Sequence, residues 1–495
     1  MTKRALNKIG KEWTWPAGTV ELKSLNPADT TETLCSAPET TAEGVDQAVQ
    51  AAQKAYPAWK RTPAPERAKI LLRLAQIMTD RKQPLGELVT RECGKPLPEG
   101  LGDVQEAIDM AYLAAGEGRR LSGETTSSEL PNKMCLTFRE PIGVCGLITP
   151  WNFPVAIPAW KSLHALICGN TVVLKPAEDT PLCAVEFVKA LDDAGLPPGV
   201  MNLVLGSGKV TGAALVNHPG VRLISFTGST KTGRKVAEEC GRAGKRVSLE
   251  CGGKNAQIVM PDANLDLALE GALWGAFGTA GQRCTATSRL ILHKEIHDKL
   301  VARLVEQAKK LKLGNGLQPN VHVGPLINPK QMDRVLDYIE TGKKEGAVLL
   351  SGGARATAAD LSKGYFVEPT VFGGVTRTMR IFREEIFGPV LSVVKVGSLE
   401  EAVETLNDCD YGLSSSIYTQ DVNRAMAAVR DIEAGIVYVN GPTIGAEVHL
   451  PFGGVKASGN GHREAGKAGL DIFTEWKTVY IDYSGKLQRA QIDNS

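Results

Sequence analysis

The chain has 495 residues, 43% of them hydrophobic, with 52 Gly, 27 Pro and 10 Cys, and 57 Lys and Arg stand against 55 Asp and Glu for a formal net charge of +2. At roughly 150 residues per domain this length predicts about three domains with a substantial core, which excludes a small disulfide scaffold. The near-neutral balance excludes a global field for nucleic acid or an anionic membrane, because that binding needs a concentrated excess of Lys and Arg.

The first thirteen residues carry Lys3, Arg4, Lys8 and Lys11, and no apolar stretch of signal-peptide length follows them. Thr40 with Glu43 reads as a capping box, followed by Val45, Val49, Ala52, Tyr56 and Trp59 at helical spacing. A second helix follows Pro65, and a third is predicted over 103–116. Residues 122–140 alternate like a hairpin. From 142 onward strands (142–149, 171–174, 201–205, 222–226) alternate with helices (159–168, 181–194, 210–217, 230–241). Such βαβ units predict a parallel sheet whose ligand lies outside the carboxyl ends of the strands. A second α/β series runs over 253–450, with a helix at 296–311 and strands at 389–396 and 435–440, and 477–482 reads as a terminal strand. The longest apolar run, 144–160, is broken by Pro150, Asn152, Pro154 and Pro158, whereas a membrane span needs about 20 apolar residues. No CxxC pair occurs, so the ten cysteines read as free thiols of a reducing, cytoplasmic compartment, with no metal site.

No standard dinucleotide fingerprint is met. Gly206, Gly208 and Gly212 form GxGxxxG, one residue too long, and Gly228 and Gly233 lack the Lys-Ser/Thr of a phosphate loop. Phe226-Thr227-Gly228-Ser229-Thr230 is the better candidate, since a strand feeding a Ser-bearing helix start presents free N–H groups to an anion. The densest signal is Gly278-Thr279-Ala280-Gly281-Gln282-Arg283-Cys284, with Glu250 34 residues before the cysteine. Among small residues, Cys284 suits a nucleophile at a helix start, where the dipole lowers a thiol pKa.

Five segments together resemble the NAD(P)-dependent aldehyde dehydrogenase superfamily across about residues 25–480. They are Thr149-Pro150-Trp151-Asn152-Phe153-Pro154, Leu174-Lys175-Pro176-Ala177-Glu178, the pair around Glu250 and Cys284, Glu384-Glu385-Ile386-Phe387-Gly388-Pro389, and Pro451-Phe452-Gly453-Gly454 running to Glu464. The resemblance implies an α/β fold with a Rossmann-type NAD-binding domain (1–121 and 141–252), a catalytic domain (253–452) and a small β oligomerisation element (122–140 and 473–495) in a homodimer or homotetramer. It implies Cys284 as nucleophile, Asn152 as oxyanion donor and Glu250 as general base. For the cofactor it implies Lys175 and Glu178 at the adenosine ribose, Ser229 near the pyrophosphate, Glu385 at the nicotinamide ribose and Phe387 beside the nicotinamide, with Thr149, Pro150, Trp151, Gly208, Phe226 and Gly228 lining the same site. Glu178 favours NAD, because a carboxylate repels a 2′-phosphate, while Lys175 leaves NADP open.

The expected small-molecule substrate is an aldehyde. Arg283 presents a fork of donors to a substrate carboxylate, or else forms an internal salt bridge, and Trp160 and the loop 443–449 border the substrate funnel. These features are similar to branches that oxidise α-ketoglutaric or aminoadipic semialdehyde. Succinate semialdehyde, a broad-specificity enzyme and a non-catalytic NAD-binding protein are the alternatives.

Overall fold

The computed structural model describes residues 3–492; the outer ends of the expected segments 1–121 and 473–495, residues 1–2 and 493–495, lie outside the described residues. Two seven-stranded sheets carry the chain. Across the first, the strands run Arg246–Glu250, Leu223–Thr227, Val144–Ile148, Thr171–Lys175 and Met201–Leu203, all parallel, then Asn7–Ile9 and Glu12–Thr14 antiparallel. Val144–Ile148 and Thr171–Lys175 are buried at every position, as strands covered on both faces must be, which explains their continuous apolar runs. The second sheet is ordered Val348–Ser351, Thr370–Gly373, Val390–Val396, Thr287–His293, Asn255–Val259, Ser414–Tyr418 and Ile436–Val439, parallel except at its first edge.

A third, antiparallel sheet joins Thr125–Ser127, Lys133–Pro141 and the terminal strand Thr474–Asp482, the last two paired from Thr474 with Pro141 to Asp482 with Lys133. Two segments over 300 residues apart thus form one ribbon, with Trp476 and Tyr480 exposed.

The third helix comes out longer than the periodicity predicts. It spans Leu97–Glu117, and a further helix, Lys82–Cys93, precedes it. The first helix, Ala42–Arg61, is capped by Thr41, whose side chain accepts from Gly44 N–H, and not by Thr40. The Thr40 hydroxyl donates to the Leu205 carbonyl at 2.5 Å and its oxygen accepts from Asn7 Nδ2 at 2.8 Å, tertiary bonds that the local capping pattern does not reveal. No helix among the described residues is long and apolar enough to cross a membrane.

Candidate active site

The carboxyl edge of the first sheet gathers most of the expected cofactor residues. Thr149, Pro150 and Trp151 follow one strand, Lys175 and Glu250 end two others, and Gly228 and Ser229 follow Leu223–Thr227. Ser229 caps the helix Thr230–Arg242 by accepting from Thr232 N–H at 3.4 Å, so the N–H groups of that first turn are presented at the sheet edge. A Cβ at Gly228 would stand 2.6 Å from the Phe226 ring, which would have to shift to admit it. Gly208 opens a turn of π-helix, Gly208–Gly212, leading into Ala213–Asn217 where one helix is predicted, and Gly212 lies over the Lys175 stem.

Lys175 Nζ lies 3.4 Å from Glu178 Oε2, the lysine 3% and the glutamate 46% exposed. Burial depresses the Lys175 pKa, with Glu178 opposing. A reachable carboxylate beside a sheltered ammonium fits a vicinal diol, whose hydroxyls donate to the one and accept from the other. Further along, Glu385 Oε1 accepts from Gly253 N–H at 2.9 Å, and a Cβ at Gly252 would collide with the same carboxylate. Phe387 takes a left-handed φ of 61° and meets Trp151 edge to face, centroids 5.5 Å apart. Gln331 Nε2 holds the Phe387 carbonyl at 2.7 Å and Arg334 the Glu385 carbonyl at 2.5 Å. These residues fit a dinucleotide laid along the edge, with a carboxylate at each end.

Cys284 opens onto a cleft of about 160 Å³ that Trp151, Asn152, Ser229, Glu385 and Phe387 also line. It does not start a helix. The helix Leu265–Phe277 is broken by the turn Gly278–Gly281, and the chain then runs into the strand Thr287–His293, favoured by β-branched Thr285 and Thr287. Thr279, Ala280 and Gly281 have φ of 51°, 53° and 68°; for a residue with a Cβ this conformation costs ~1–2 kcal/mol. Gly281 is required, since any Cβ there would strike the Gly388 carbonyl.

Two asparagine amides grip the peptides around the thiol. Asn152 Nδ2 donates to the Gln282 carbonyl at 3.0 Å and Asn255 Nδ2 to that of Cys284 at 2.8 Å. An amide carries two N–H groups, so one of Asn152's remains for a second acceptor. Burial pushes the Cys284 thiol up to about 12, and the carboxylates of Glu385 and Glu250 add to it. The expected lowering by a helix dipole is absent, because the chain forms no helix there, and burial raises the pKa instead.

Glu250 ends its strand on the rim, with Gly228 N–H bonded to its carbonyl at 3.1 Å. Its carboxylate faces the C-terminal loop instead of the cleft, and a Cβ on Gly453 would stand 2.7 Å from Oε1. Both oxygens are buried and without a hydrogen-bond partner among the described residues. Burial raises its pKa well above the usual carboxylate range; Glu464 adds to this, and Lys161 and Arg463 oppose it. Beneath it Lys161 is salt-bridged to Glu464 and donates to Ser225 Oγ at 2.8 Å.

The sequence pattern of the aldehyde dehydrogenase family matches residues 13–479. The chain belongs to the aldehyde dehydrogenase family. The α-ketoglutaric semialdehyde dehydrogenase of Bacillus subtilis is 42% identical over 476 residues, 96% of this chain and 98% of that one. A relative from Haloferax volcanii, α-ketoglutarate semialdehyde dehydrogenase, is 43% identical over 484 residues, 98% of this chain and 100% of its own. Betaine aldehyde dehydrogenase from Staphylococcus aureus, solved in complex with NAD+, superimposes with a TM-score of 0.95 at 33% identity, covering 98% of this chain and 95% of that one.

In this aldehyde dehydrogenase Arg283, Trp160 and Glu250 stand outside the cleft that Cys284 shares with Glu385. Arg283 Nη2 lies 3.7 Å from Glu99 Oε1, its Nε donates to Thr279 Oγ1 at 2.9 Å, and its guanidinium sits over the Phe153 and Trp274 rings. The internal ion pair weighed above is thus present. Trp160 is buried against Phe452, ring centroids 5.2 Å apart. Sequence reading missed Glu99, Asn255, Gln331 and Arg334. Asn255 alone had a local signal, one residue beyond the Glu250-Cys251-Gly252-Gly253-Lys254 segment.

Proposed function

We propose that this protein oxidises an aldehyde to a carboxylic acid with NAD+ by covalent catalysis at Cys284. The observation that carries this is the cleft that Cys284 and Asn152 share with Glu385 and Phe387, with the Asn152 amide already bonded two residues before the thiol. Once the Cys284 thiol has given its proton to water, attack of the sulfur on the carbonyl gives a tetrahedral alkoxide, which the second Asn152 N–H and the Cys284 backbone N–H stabilise. When bound, NAD+ would supply the hydride acceptor, and Glu385, Ser229, Lys175 and Glu178 are the residues that would hold it. The resulting thioester on Cys284 needs water, and Glu250 is the base that draws the water's proton. Because its carboxylate is unpartnered, its turning toward the thiol would break no hydrogen bond. An Asn152→Ala variant is expected to lose about 10²–10³-fold in kcat through the missing oxyanion donor. Its affinity for NADH, measured by fluorescence titration, should stay at the wild-type value.

The substrate class we assign is an ω-semialdehyde of an oxo dicarboxylic acid. Arg283, next to the nucleophile, supports it, as do the names of the Bacillus and Haloferax relatives. An NAD-reduction screen over anionic and uncharged aldehydes tests this. Arg283→Ala should lower kcat/KM for the anionic set by about 10-fold or more beyond whatever it costs the uncharged set through its bond to Thr279; equal losses on both would contradict the assignment. We place the enzyme in the cytoplasm, supported by ten unbridged cysteines. The exposed Phe138, Trp476 and Tyr480 of the third sheet support a homodimer or homotetramer.

A further inference from the structure

The helix Leu97–Glu117 ties both halves of this site together through its first two turns. Glu99 and Asp103 are four residues apart and so lie on one helical face. Glu99 accepts from Thr279 N–H at 3.0 and 2.9 Å and from the Thr279 hydroxyl at 2.7 Å. The same hydroxyl accepts from Arg283 Nε, so a chain runs from the Glu99 carboxylate through Thr279 to the residue before Cys284. Asp103 accepts from Ala156 N–H at 2.7 Å, at the first turn of the helix that follows Asn152 and Phe153. Its other oxygen holds Lys95 Nζ at 3.1 Å in a fully buried pair, and that ammonium lies 3.9 Å above the Phe153 ring.

We infer that Glu99 and Asp103 are positioning residues that set the nucleophile loop and the oxyanion loop in register, Glu99 holding the left-handed turn before Cys284 and Asp103 the segment after Asn152. Neither touches the reacting atoms. The Thr279 and Ala280 conformation is unfavourable for residues with a Cβ, so it persists only where something outside the loop fixes it, and three bonds to one carboxylate do this. The inference rests on the reading of Cys284 and Asn152 as the reacting pair.

The test measures two rates on the full-length protein: alkylation of Cys284 by iodoacetamide, followed by peptide mass spectrometry, and kcat with NAD+ and aldehyde. In Glu99→Gln, which keeps the size and removes the charge, both rates should fall by about tenfold or more, since a misplacement near 1 Å costs that much. KM for NAD+ and the NADH dissociation constant should stay at wild-type values. Thr279→Val should lose both rates in the same way, and Thr279→Ser, which keeps the hydroxyl, should restore them. A folded Glu99→Gln protein with both rates at the wild-type level would overturn the inference. If that variant does not fold, equal rates for Thr279→Val and Thr279→Ser overturn it. Failure of the dehydrogenase reading would look different: Cys284→Ala would keep its turnover, while the alkylation comparison would still stand.

Discussion

Replacing Cys284 with alanine is expected to abolish aldehyde-dependent NADH formation, by at least ~10⁴-fold in kcat, as when the nucleophile of a covalent enzyme is removed. The reason is electronic. A free aldehyde would have to lose hydride while positive charge builds on its carbonyl carbon, whereas the alkoxide formed by sulfur addition expels hydride readily. The fold should survive, because Cys284 is only half-buried and its loop is held by Asn152, Asn255 and Glu99 through other atoms. NADH binding should also survive, since no bond to Glu385, Ser229 or Lys175 passes through the sulfur. Loss of turnover with retained NADH binding and circular dichroism is the expected pattern; turnover near wild type would remove Cys284 from the reaction.

Glu250→Gln should separate the two halves of the reaction. Hydride transfer precedes hydrolysis, so this variant should still release about one NADH per active site in a burst and then turn over slowly, by about 10²–10⁴-fold for the loss of a general base. The pH dependence follows from the direction of the Glu250 shift. Burial and Glu464 hold its pKa well above that of an ordinary carboxylate, so at low pH it is protonated and cannot accept water's proton. Steady-state rate in the wild type should therefore rise with pH through the raised pKa, and stopped-flow measurement of Glu250→Gln should find that rise missing from the slow phase. A burst absent from the variant, or the same pH-dependent rise persisting in its slow phase, would remove Glu250 from hydrolysis.

Strand-to-turn segments were legible because their signals are local. The TPWNFP segment, LKPAE and the glycines after Glu250 each sit where a parallel strand ends, so their residue types report directly on the ligand edge of the sheet. Long-range partners were not. Glu99 finds Thr279 180 residues away, and nothing in its helix marks it as more than a first-turn carboxylate. The turn at Thr279 and Ala280 was invisible for another reason: neither is Gly or Asn, the residues that advertise a left-handed backbone. Hence Cys284 read as a helix start. The helix Lys82–Cys93 was missed because Arg81 gives it no side-chain cap and Pro84 sits in its first turn. Thr40 and Thr41 show the limit of a capping pattern, since adjacent threonines are divided between cap and core by the positions of Asn7 and Leu205.

Intact-protein and peptide mass spectrometry of Glu250→Gln, quenched in acid seconds after mixing with NAD+ and an aldehyde, tests covalent catalysis at Cys284 most directly. An acyl mass is expected on the peptide carrying Cys284, in amount equal to the NADH burst and removed by hydroxylamine. NADH formed with that peptide unmodified would contradict covalent catalysis there.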